Sequence, residues 1–275
     1  MRRFWVLMIG SFSLLAALTV ARSGYAEELS KLAERAKRSV VHLDVLDSRG
    51  RKVGVGSGFI ASATGRIVTN HHVIDQAGGM VAVLYDGTQV PIAGVLRADE
   101  VNDVAIIQAT GSGYAPLTLG SSENVKAGDE IAVIGSPVGL AGTLSVGIVS
   151  AVRTEGPKLD SAERAQFSAA GWTVQITAPI SPGSSGSPVM ETKQGTVIAV
   201  AVGQRRDGQA LNFAVPIEHA EALLSALGPD AEPIPFARDV AAPAVMRNLL
   251  ISAAFFLALA LVWWGMSRRR RPRPA

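Results

Sequence analysis

Residues 182–202 read PGSSGSPVMETKQGTVIAVAV, a glycine-flanked serine loop followed by two short apolar runs. The runs, Ser187–Met190 and Thr196–Val202, are rich in valine and are separated by a turn that ends at Gly195. Short runs of β-branched residues bounded by turn residues are typical of strands. The stretch therefore predicts two strands next to a tight loop that carries Ser184 and Ser185.

Similar runs continue toward both ends of the chain. Strands at this spacing, with no long helices between them, indicate antiparallel barrels or sandwiches, an all-β fold class. Periodicity also predicts a short helix over Glu28–Arg38 and a closing helix over Pro216–Leu227, ended by Gly228. Besides the two strands above, the predicted strands are Ser39–Leu46, Val53–Ala61, Arg66–Thr69, Met80–Tyr85, Thr88–Leu96, Val104–Gln108, Glu130–Ile134, Leu144–Val152, Thr173–Thr177 and Leu211–Val215.

Three segments carry the residues that acyl transfer needs. Such chemistry requires a nucleophile, a base that activates it, a group that orients the base, and donors for the developing oxyanion. An apolar strand runs into TNHHVI at 69–74, a carboxylate heads the apolar strand NDVAII at 102–107, and the serine loop is GSSGSP at 183–188. Glycines next to the serine allow backbone N–H groups to converge on an oxyanion.

These segments resemble the trypsin-like serine proteases, and specifically their HtrA/Deg branch. TNHHVI is similar to that family's motif around the catalytic histidine, NDVAII to its aspartate segment, and GSSGSP to its serine loop. The likeness extends through GSGFI at 56–60, GSPVG at 135–139, GIVS at 147–150 and NFAVP at 212–216, and it covers about Ser39 to Leu227. It implies two antiparallel six-stranded β-barrels with the active site in the cleft between them.

The resemblance also assigns roles to individual residues. It implies that His72 is the general base, Asp103 its orienting carboxylate and Ser185 the nucleophile of a serine endopeptidase. The oxyanion hole would lie at Gly183, Ser184 and Ser185, with the N–H groups of Gly183 and Ser185 as donors. His71 is the rival base, but the family's histidine directly precedes the Val-Ile pair, as His72 does.

Two positions depart from the family's serine motif. Ser184 stands where Asn or Asp is usual, and Ser187 replaces the second glycine after the nucleophile. Ser184 is small and polar and is compatible with the loop. Ser187 adds a side chain beside a tight turn and calls the oxyanion geometry into question.

The resemblance further predicts the specificity pocket. Its floor lies about six residues before the nucleophile, at Pro179, and the segment Trp172–Val189 contains no acidic residue. An unpaired basic side chain would lose hydration there at a cost of several kcal/mol. We therefore expect cleavage after small apolar residues of extended, unfolded polypeptides. Residues expected to pair with the substrate backbone are Ala201, Val202 and Gly203, and those expected to wall the pocket are Leu211, Asn212, Phe213 and Ala214.

The two ends of the chain predict a membrane topology. Residues 1–26 read as a secretory signal, and residues 248–267 form an uncharged apolar run long enough to span a bilayer. The tail 268–275 is Arg-rich, so the positive-inside rule places it in the cytoplasm. This predicts a protease domain at 27–228 in the periplasm, a Pro-rich linker at 229–247, and anchoring in the inner membrane without a following PDZ domain. Whether the signal is cleaved or kept as an anchor stays open.

Composition excludes several other classes. The chain has no cysteine, which excludes thiol catalysis and thiolate metal sites. Residues 27–245 hold 17 Lys and Arg against 23 Asp and Glu, so the domain lacks the basic surface of a nucleic-acid binder. We expect no metal and no cofactor, because His42 and His219 read as structural or solvated. The resemblance implies a homotrimer, which nothing in the chain itself specifies.

Two other functions compete with that of a protease. A catalytically inactive relative that serves as a binding scaffold is possible on this fold, although such proteins usually lose a triad member. An α/β-hydrolase also carries its serine in a glycine-flanked turn, but its triad follows the order serine, acid, histidine. Here the order is His72, Asp103, Ser185, and the strands do not alternate with helices.

Overall fold

Two closed antiparallel β-barrels of six strands each make up the fold, as expected from the sequence. The computed structural model describes residues 26–136, 142–153, 173–204 and 212–236. Among these, no helix is long and apolar enough to cross a membrane. The predicted span at 248–267, the basic tail and nearly all of the predicted signal lie outside the described residues.

The first barrel follows helix α1, residues 26–36. Its strand order is β1-β2-β3-β6-β5-β4, and a single helical turn, α2 (His71–Ile74), leaves the end of β3. Because the sheet closes on itself, every strand has a hydrogen-bonded neighbour on both sides and no edge strand is left free. The strands are β1 (Val40–Leu46), β2 (Lys52–Ile60), β3 (Arg66–Thr69), β4 (Gly79–Val83), β5 (Gln89–Asp99) and β6 (Val104–Ala109).

The second barrel has the order β10-β11-β12-β9-β8-β7 and is followed by helix α3 (Ile217–Ser225). All twelve predicted strands exist, with ends shifted by up to about three residues, as is usual for boundaries. The strands are β7 (Glu130–Gly135), β8 (Thr143–Arg153), β9 (Thr173–Ile176), β10 (Pro188–Glu191), β11 (Thr196–Gln204) and β12 (Asn212–Pro216).

Apolar side chains fill each barrel and also the space between the barrels. In β6, Ile107 packs inside the first barrel, whereas its neighbour Ile106 belongs to the cluster shared by both barrels. Neighbouring strand residues face opposite sides, so β6 is buried on both faces. The shared cluster fixes the cleft between the barrels and includes Leu32, Phe59, Val68, Ile106, Ile134, Met190, Val200, Val215 and Ile217.

Helix α3 is tied to the segment that joins the two barrels. Ser121 and Ser122 donate side-chain hydrogen bonds to Glu218, and the backbone N–H of Ser122 donates another at 2.7 Å. Burial opposes ionisation of Glu218, but these donors outweigh it and lower the pKa of its carboxyl below the ordinary value. The ionised carboxylate thus anchors the first turn of α3 to the segment that joins the two barrels.

The first part of the predicted linker lies on the first barrel. Ile234 exchanges two backbone hydrogen bonds with Val95 of β5, at 2.8 and 2.9 Å, and Phe236 packs against the core of that barrel. A side chain on Gly94 would meet the Ile234 carbonyl oxygen at 2.2 Å, so the close approach needs glycine there. Up to Phe236, the chain is therefore a part of the domain surface and not a free stalk.

Candidate active site

His72 and Asp103 form a hydrogen-bonded pair at the edge of the first barrel. One carboxylate oxygen of Asp103 lies 2.7 Å from Nδ1 of His72, and the other accepts the His72 backbone N–H at 2.8 Å. Asp103 is 1% exposed, whereas the His72 side chain is 43% exposed. An ionised carboxylate on Nδ1 holds the proton there, which leaves Nε2 free to act as a base. Both carboxylate oxygens are engaged by His72, not by His71.

A structured turn before β6 presents the Asp103 carboxylate. Asn102 donates its backbone N–H and its side-chain amide to Asp99, at 3.0 and 2.7 Å. Burial raises the pKa of Asp99, but these two donors outweigh it and lower the pKa below its ordinary value. Asp103 itself has φ of 53°, the one non-glycine residue in the described ranges with positive φ. Such a conformation persists where surrounding contacts enforce it.

Asn70 supplies one of those contacts. Its side-chain amide donates to the backbone carbonyl of Asp103 at 2.8 Å, and Asn70 is fully buried. Because Asn70 directly precedes α2, it links the backbone of the carboxylate to the turn that carries His72. Sequence reasoning quoted Asn70 in the histidine motif but assigned it no role.

Ser185 lies on the loop between β9 and β10, next to the last part of β11. Its hydroxyl donates to the backbone carbonyl of Val202 in β11 at 2.8 Å, and not to His72. Gly186, the next residue, has φ of 88°, and a side chain there would meet the Ser57 carbonyl oxygen at 2.0 Å. Only glycine fits this approach between the serine loop and the first barrel.

The loop also presents two backbone donors. Gly183 has φ of 93°, and the Ser184 N–H bonds back to the Ser181 carbonyl at 2.8 Å. Within the described residues, neither the N–H of Gly183 nor that of Ser185 has an acceptor. Both Gly183 and Ser184 are buried and Ser185 is half-buried. The two donors predicted to form the oxyanion hole are therefore available to a ligand.

The described residues that are predicted to hold the substrate lie in strands of the second barrel or on the loop between β9 and β10. Pro179 is exposed, between the buried Ala178 and Ile180. Ala201 already donates its N–H to Ser187 and accepts the N–H of Gly186, so its backbone is used by the serine loop. The Asn212 side chain donates to the Ala178 carbonyl at 2.7 Å. Val202, Asn212, Phe213 and Ala214 are buried, Gly203 lies in β11, and Leu211 and Trp172 lie outside the described residues.

Comparison with known proteins identifies the architecture. Residues 56–200, a segment that includes His72, Asp103 and Ser185, match the model of the family described as trypsin-like peptidase domain. The chain belongs to the trypsin-like peptidase family. The family resemblance expected from the motifs is thereby confirmed.

Relatives of this trypsin-like peptidase domain are serine proteases of the HtrA/Deg type. The serine protease PepD of Mycobacterium tuberculosis is 33% identical over 218 residues, which cover 72% of this chain and 46% of PepD. A protein of Ectopseudomonas mendocina, named as DegP-like and periplasmic, is 36% identical over 60% of this chain and 33% of its own length. The chain thus spans less than half the length of these curated relatives.

Solved structures show the same fold. The crystal structure of Deg5 superposes with a TM-score of 0.58 at 26% identity and covers 72% of this chain and 92% of that chain. The HtrA-type protease AlgW, solved with a tripeptide, superposes with a TM-score of 0.62 at 27% identity over 73% of this chain and 62% of its own. Both comparisons support the two-barrel architecture of this trypsin-like peptidase domain.

Sequence reasoning missed the residues of the first barrel that hold the serine loop. Ser57 and Thr69 are fully buried polar residues on β2 and β3; Ser57 bonds the Gly183 carbonyl of the loop, and Thr69 donates to the Ser57 carbonyl. Ser57 appears in the motif GSGFI and Thr69 begins TNHHVI. The feature that could have indicated their supporting role is a polar residue within a predicted strand. A buried hydroxyl in such a position is expected to have a specific partner.

Ser187, the residue that departs from the family motif, faces Gly135 of β7. The Ser187 hydroxyl is buried without a hydrogen-bond partner, and it would lie 2.2 Å from a side chain placed on Gly135. Leaving a hydroxyl unsatisfied in a buried site costs about 1–3 kcal/mol. The added side chain is thus accommodated against a glycine, where no Cβ occupies the space.

This packing predicts how Gly135 and Ser187 depend on each other. Gly135→Ala should lower the free energy of unfolding by about 1–3 kcal/mol, because the new methyl group overlaps the Ser187 hydroxyl. In a Ser187→Gly background the same change should cost less than about 1 kcal/mol, since the next atom, Oγ of Ser57, lies 3.6 Å away. Denaturant unfolding of the four proteins of the cycle measures the coupling. Equal costs in both backgrounds would contradict the contact.

Proposed function

We propose that the chain is a serine endopeptidase that uses His72, Asp103 and Ser185 to hydrolyse peptide bonds. The observation that carries the proposal is the buried Asp103 carboxylate, which fixes His72 with Nε2 free in a family of peptidases. The loop of Ser185 adds two unpaired backbone donors, the feature that acyl transfer needs for its oxyanion.

The first chemical step begins with the rotation of the Ser185 hydroxyl away from the Val202 carbonyl toward Nε2 of His72. His72 takes the hydroxyl proton as Oγ attacks the carbonyl carbon of the substrate. The negative charge that develops on the carbonyl oxygen is received by the N–H groups of Gly183 and Ser185, each worth about 10²–10³ in rate. Asp103 stabilises the resulting imidazolium through its hydrogen bond with Nδ1, while its other oxygen holds the His72 backbone N–H.

In the second half of the reaction the imidazolium of His72 gives its proton to the leaving amine. Water then attacks the acyl-enzyme ester with His72 again as general base, and Ser185 recovers its proton. The Val202 carbonyl, released when the Ser185 hydroxyl turns, becomes an acceptor for the backbone N–H of the substrate residue before the scissile bond. This gives Val202 and Gly203, but not Ala201, the role of pairing with the substrate.

The triad is tested by single substitutions. Ser185→Ala and His72→Ala should each lower peptide hydrolysis by about four to six orders of magnitude, because the nucleophile or its base is lost. Asp103→Asn should also be severe, since the amide favours the wrong tautomer of His72. Hydrolysis of denatured casein measures the complete reaction, and labelling by a fluorophosphonate probe measures the reactivity of the serine nucleophile.

His71→Ala is the matched control for the base, because the two histidines are adjacent on α2. It should keep activity within a few fold of the wild type. A severe loss in His71→Ala with a mild one in His72→Ala would reverse the assignment. A wild-type chain that binds unfolded protein but is not labelled by the probe would instead favour the inactive scaffold.

We infer that the substrates are extended polypeptides with a small apolar residue before the scissile bond. No acidic residue occurs in 172–189, and the predicted pocket residues Pro179, Phe213 and Ala214 are uncharged. A Lys or Arg side chain would find no counter-charge there. Because β11 pairs with the substrate as a strand, an unfolded segment is required.

Cleavage-site profiling on a denatured proteome checks this specificity. We expect cuts mainly after Ala, Val or similar residues, with only modest preference among them, since one methylene is worth about 1–3 kcal/mol. The Ser185→Ala protein gives the background pattern. Predominant cleavage after Lys or Arg would overturn the pocket assignment and leave the triad intact.

We also propose that the domain at 27–228 is extracytoplasmic and is anchored by the apolar segment 248–267. This proposal rests on the uncharged run and on the arginines at 268–271 that follow it. It agrees with the periplasmic assignment in the name of the relative from Ectopseudomonas mendocina. The signal at 1–26 and the homotrimer stay predictions.

Protease accessibility tests this topology in a Gram-negative host. Protease added to intact spheroplasts should digest the domain and spare a fragment that carries an epitope placed after Ala275. The same epitope should become accessible only when the membrane is permeabilised. An epitope that is digested in intact spheroplasts would contradict the proposed orientation.

A further inference from the structure

Ser57 of β2 makes four hydrogen bonds, two of which join the first barrel to the serine loop. Its hydroxyl donates to the Gly183 carbonyl at 2.7 Å and accepts the Ser136 N–H at 3.1 Å. Its backbone N–H donates to the Ser185 carbonyl at 2.8 Å, and its carbonyl accepts the Thr69 hydroxyl at 2.8 Å. Ser57 is 0% exposed, so none of these bonds competes with bulk water.

These bonds fix the peptide groups around the two oxyanion donors. The peptide group between Gly183 and Ser184 is held on both sides, with its carbonyl on the Ser57 hydroxyl and its N–H on the Ser181 carbonyl. The carbonyl of Ser185 is held by the Ser57 backbone. The N–H of Ser185 therefore lies between two fixed peptide groups, those that follow Gly183 and Ser185. The N–H of Gly183 lies directly before the first of these groups.

The Ser57 hydroxyl is the one side-chain group in this arrangement that reaches the loop from the first barrel. If Gly183 lost this partner, its buried carbonyl would be left unsatisfied, and rotation of the peptide group would be the direct way to find another donor. Such a rotation would change the backbone angles that aim the neighbouring N–H groups. Oxyanion stabilisation depends on donors that are already oriented before the reaction.

We propose that Ser57 is a positioning residue for the oxyanion hole, an inference that rests on the proposed peptidase function. Through its hydroxyl, Ser57 sets the orientation of the Gly183 and Ser185 N–H groups. Thr69 in turn holds the Ser57 carbonyl, and Thr69 directly precedes the Asn70–His72 segment. The same small network thus links the base-bearing turn with the nucleophile-bearing loop.

Ser57→Ala tests the assignment, because it removes the two bonds of the hydroxyl and keeps both backbone bonds. We expect kcat for succinyl-Ala-Ala-Val p-nitroanilide to fall about 10- to 100-fold, less than the loss of a whole donor. KM should stay within about twofold and the pH midpoint of kcat/KM should not move, since His72 and Asp103 are untouched. Affinity for the matching peptide boronic acid, whose adduct places an oxygen in the hole, should fall by a similar factor.

Ser122→Ala is the matched control, since Ser122 is an equally buried serine whose hydroxyl bonds Glu218 far along the chain. It should lower the Tm to a similar extent without a selective loss of kcat. An unchanged kcat in Ser57→Ala, or a loss shared by Ser122→Ala at equal Tm, would overturn the positioning role. If Ser57→Ala does not fold, Ser57→Cys replaces it, since the thiol keeps the shape of the side chain but is a weak donor, and a wild-type kcat in that variant overturns the proposal.

The proposed function is checked separately with the wild-type chain. Fluorophosphonate labelling that is present in the wild type and absent in Ser185→Ala supports the peptidase. Absence of labelling in the wild type means that the peptidase proposal itself has failed. If the wild type is labelled, the peptidase proposal holds, and the comparison of Ser57→Ala with Ser122→Ala tests only the positioning role of Ser57.

Discussion

A buried carboxylate is the constraint on which the site depends. Removing the charge of Asp103 from water costs several kcal/mol unless donors surround it, and the two His72 donors meet that need. The backbone of Asp103 is held in a positive-φ conformation by the turn at Asp99 and by Asn70. The position of His72 therefore follows from the need of the buried Asp103 carboxylate for hydrogen-bond donors.

The two barrels bring the remaining parts to that pair. Each barrel closes its own sheet, so the apolar cluster between them has to come from outward-facing residues such as Phe59, Ile106 and Val200. A buried polar residue in this interface needs hydrogen-bond partners to offset its loss of water. Ser57 has them, because its hydroxyl and its backbone N–H bond residues of the second barrel's segments and its carbonyl accepts the Thr69 hydroxyl. The same surface that packs the barrels thereby orients the loop of Ser185.

The sequence was sufficient to predict the two-barrel fold, and the hydrogen-bonded pair of His72 and Asp103 joins two residues of the predicted triad. Short apolar and β-branched runs ended by turn residues marked all twelve strands, because such runs are a local pattern. The supporting bonds were not predictable in this way. The contact between Ser57 and Gly183 joins residues 126 positions apart, and no local pattern encodes such a pairing. The docking of Ile234 on β5 was missed for the same reason, since prolines indicated only an extended chain.

The departure at Ser187 shows why a motif has to be judged in its packing context. Read as a sequence, an extra side chain after the nucleophile threatens the geometry of the oxyanion hole. In the structure the Ser187 side chain is directed at Gly135, where the absence of a side chain on β7 makes room for it. Its unsatisfied hydroxyl is a cost in stability, whereas the backbone N–H of Ser187 still bonds the Ser184 carbonyl at 3.0 Å and keeps the loop closed. The Ser187 side chain is therefore placed against β7, and the loop keeps the backbone hydrogen bond that closes it.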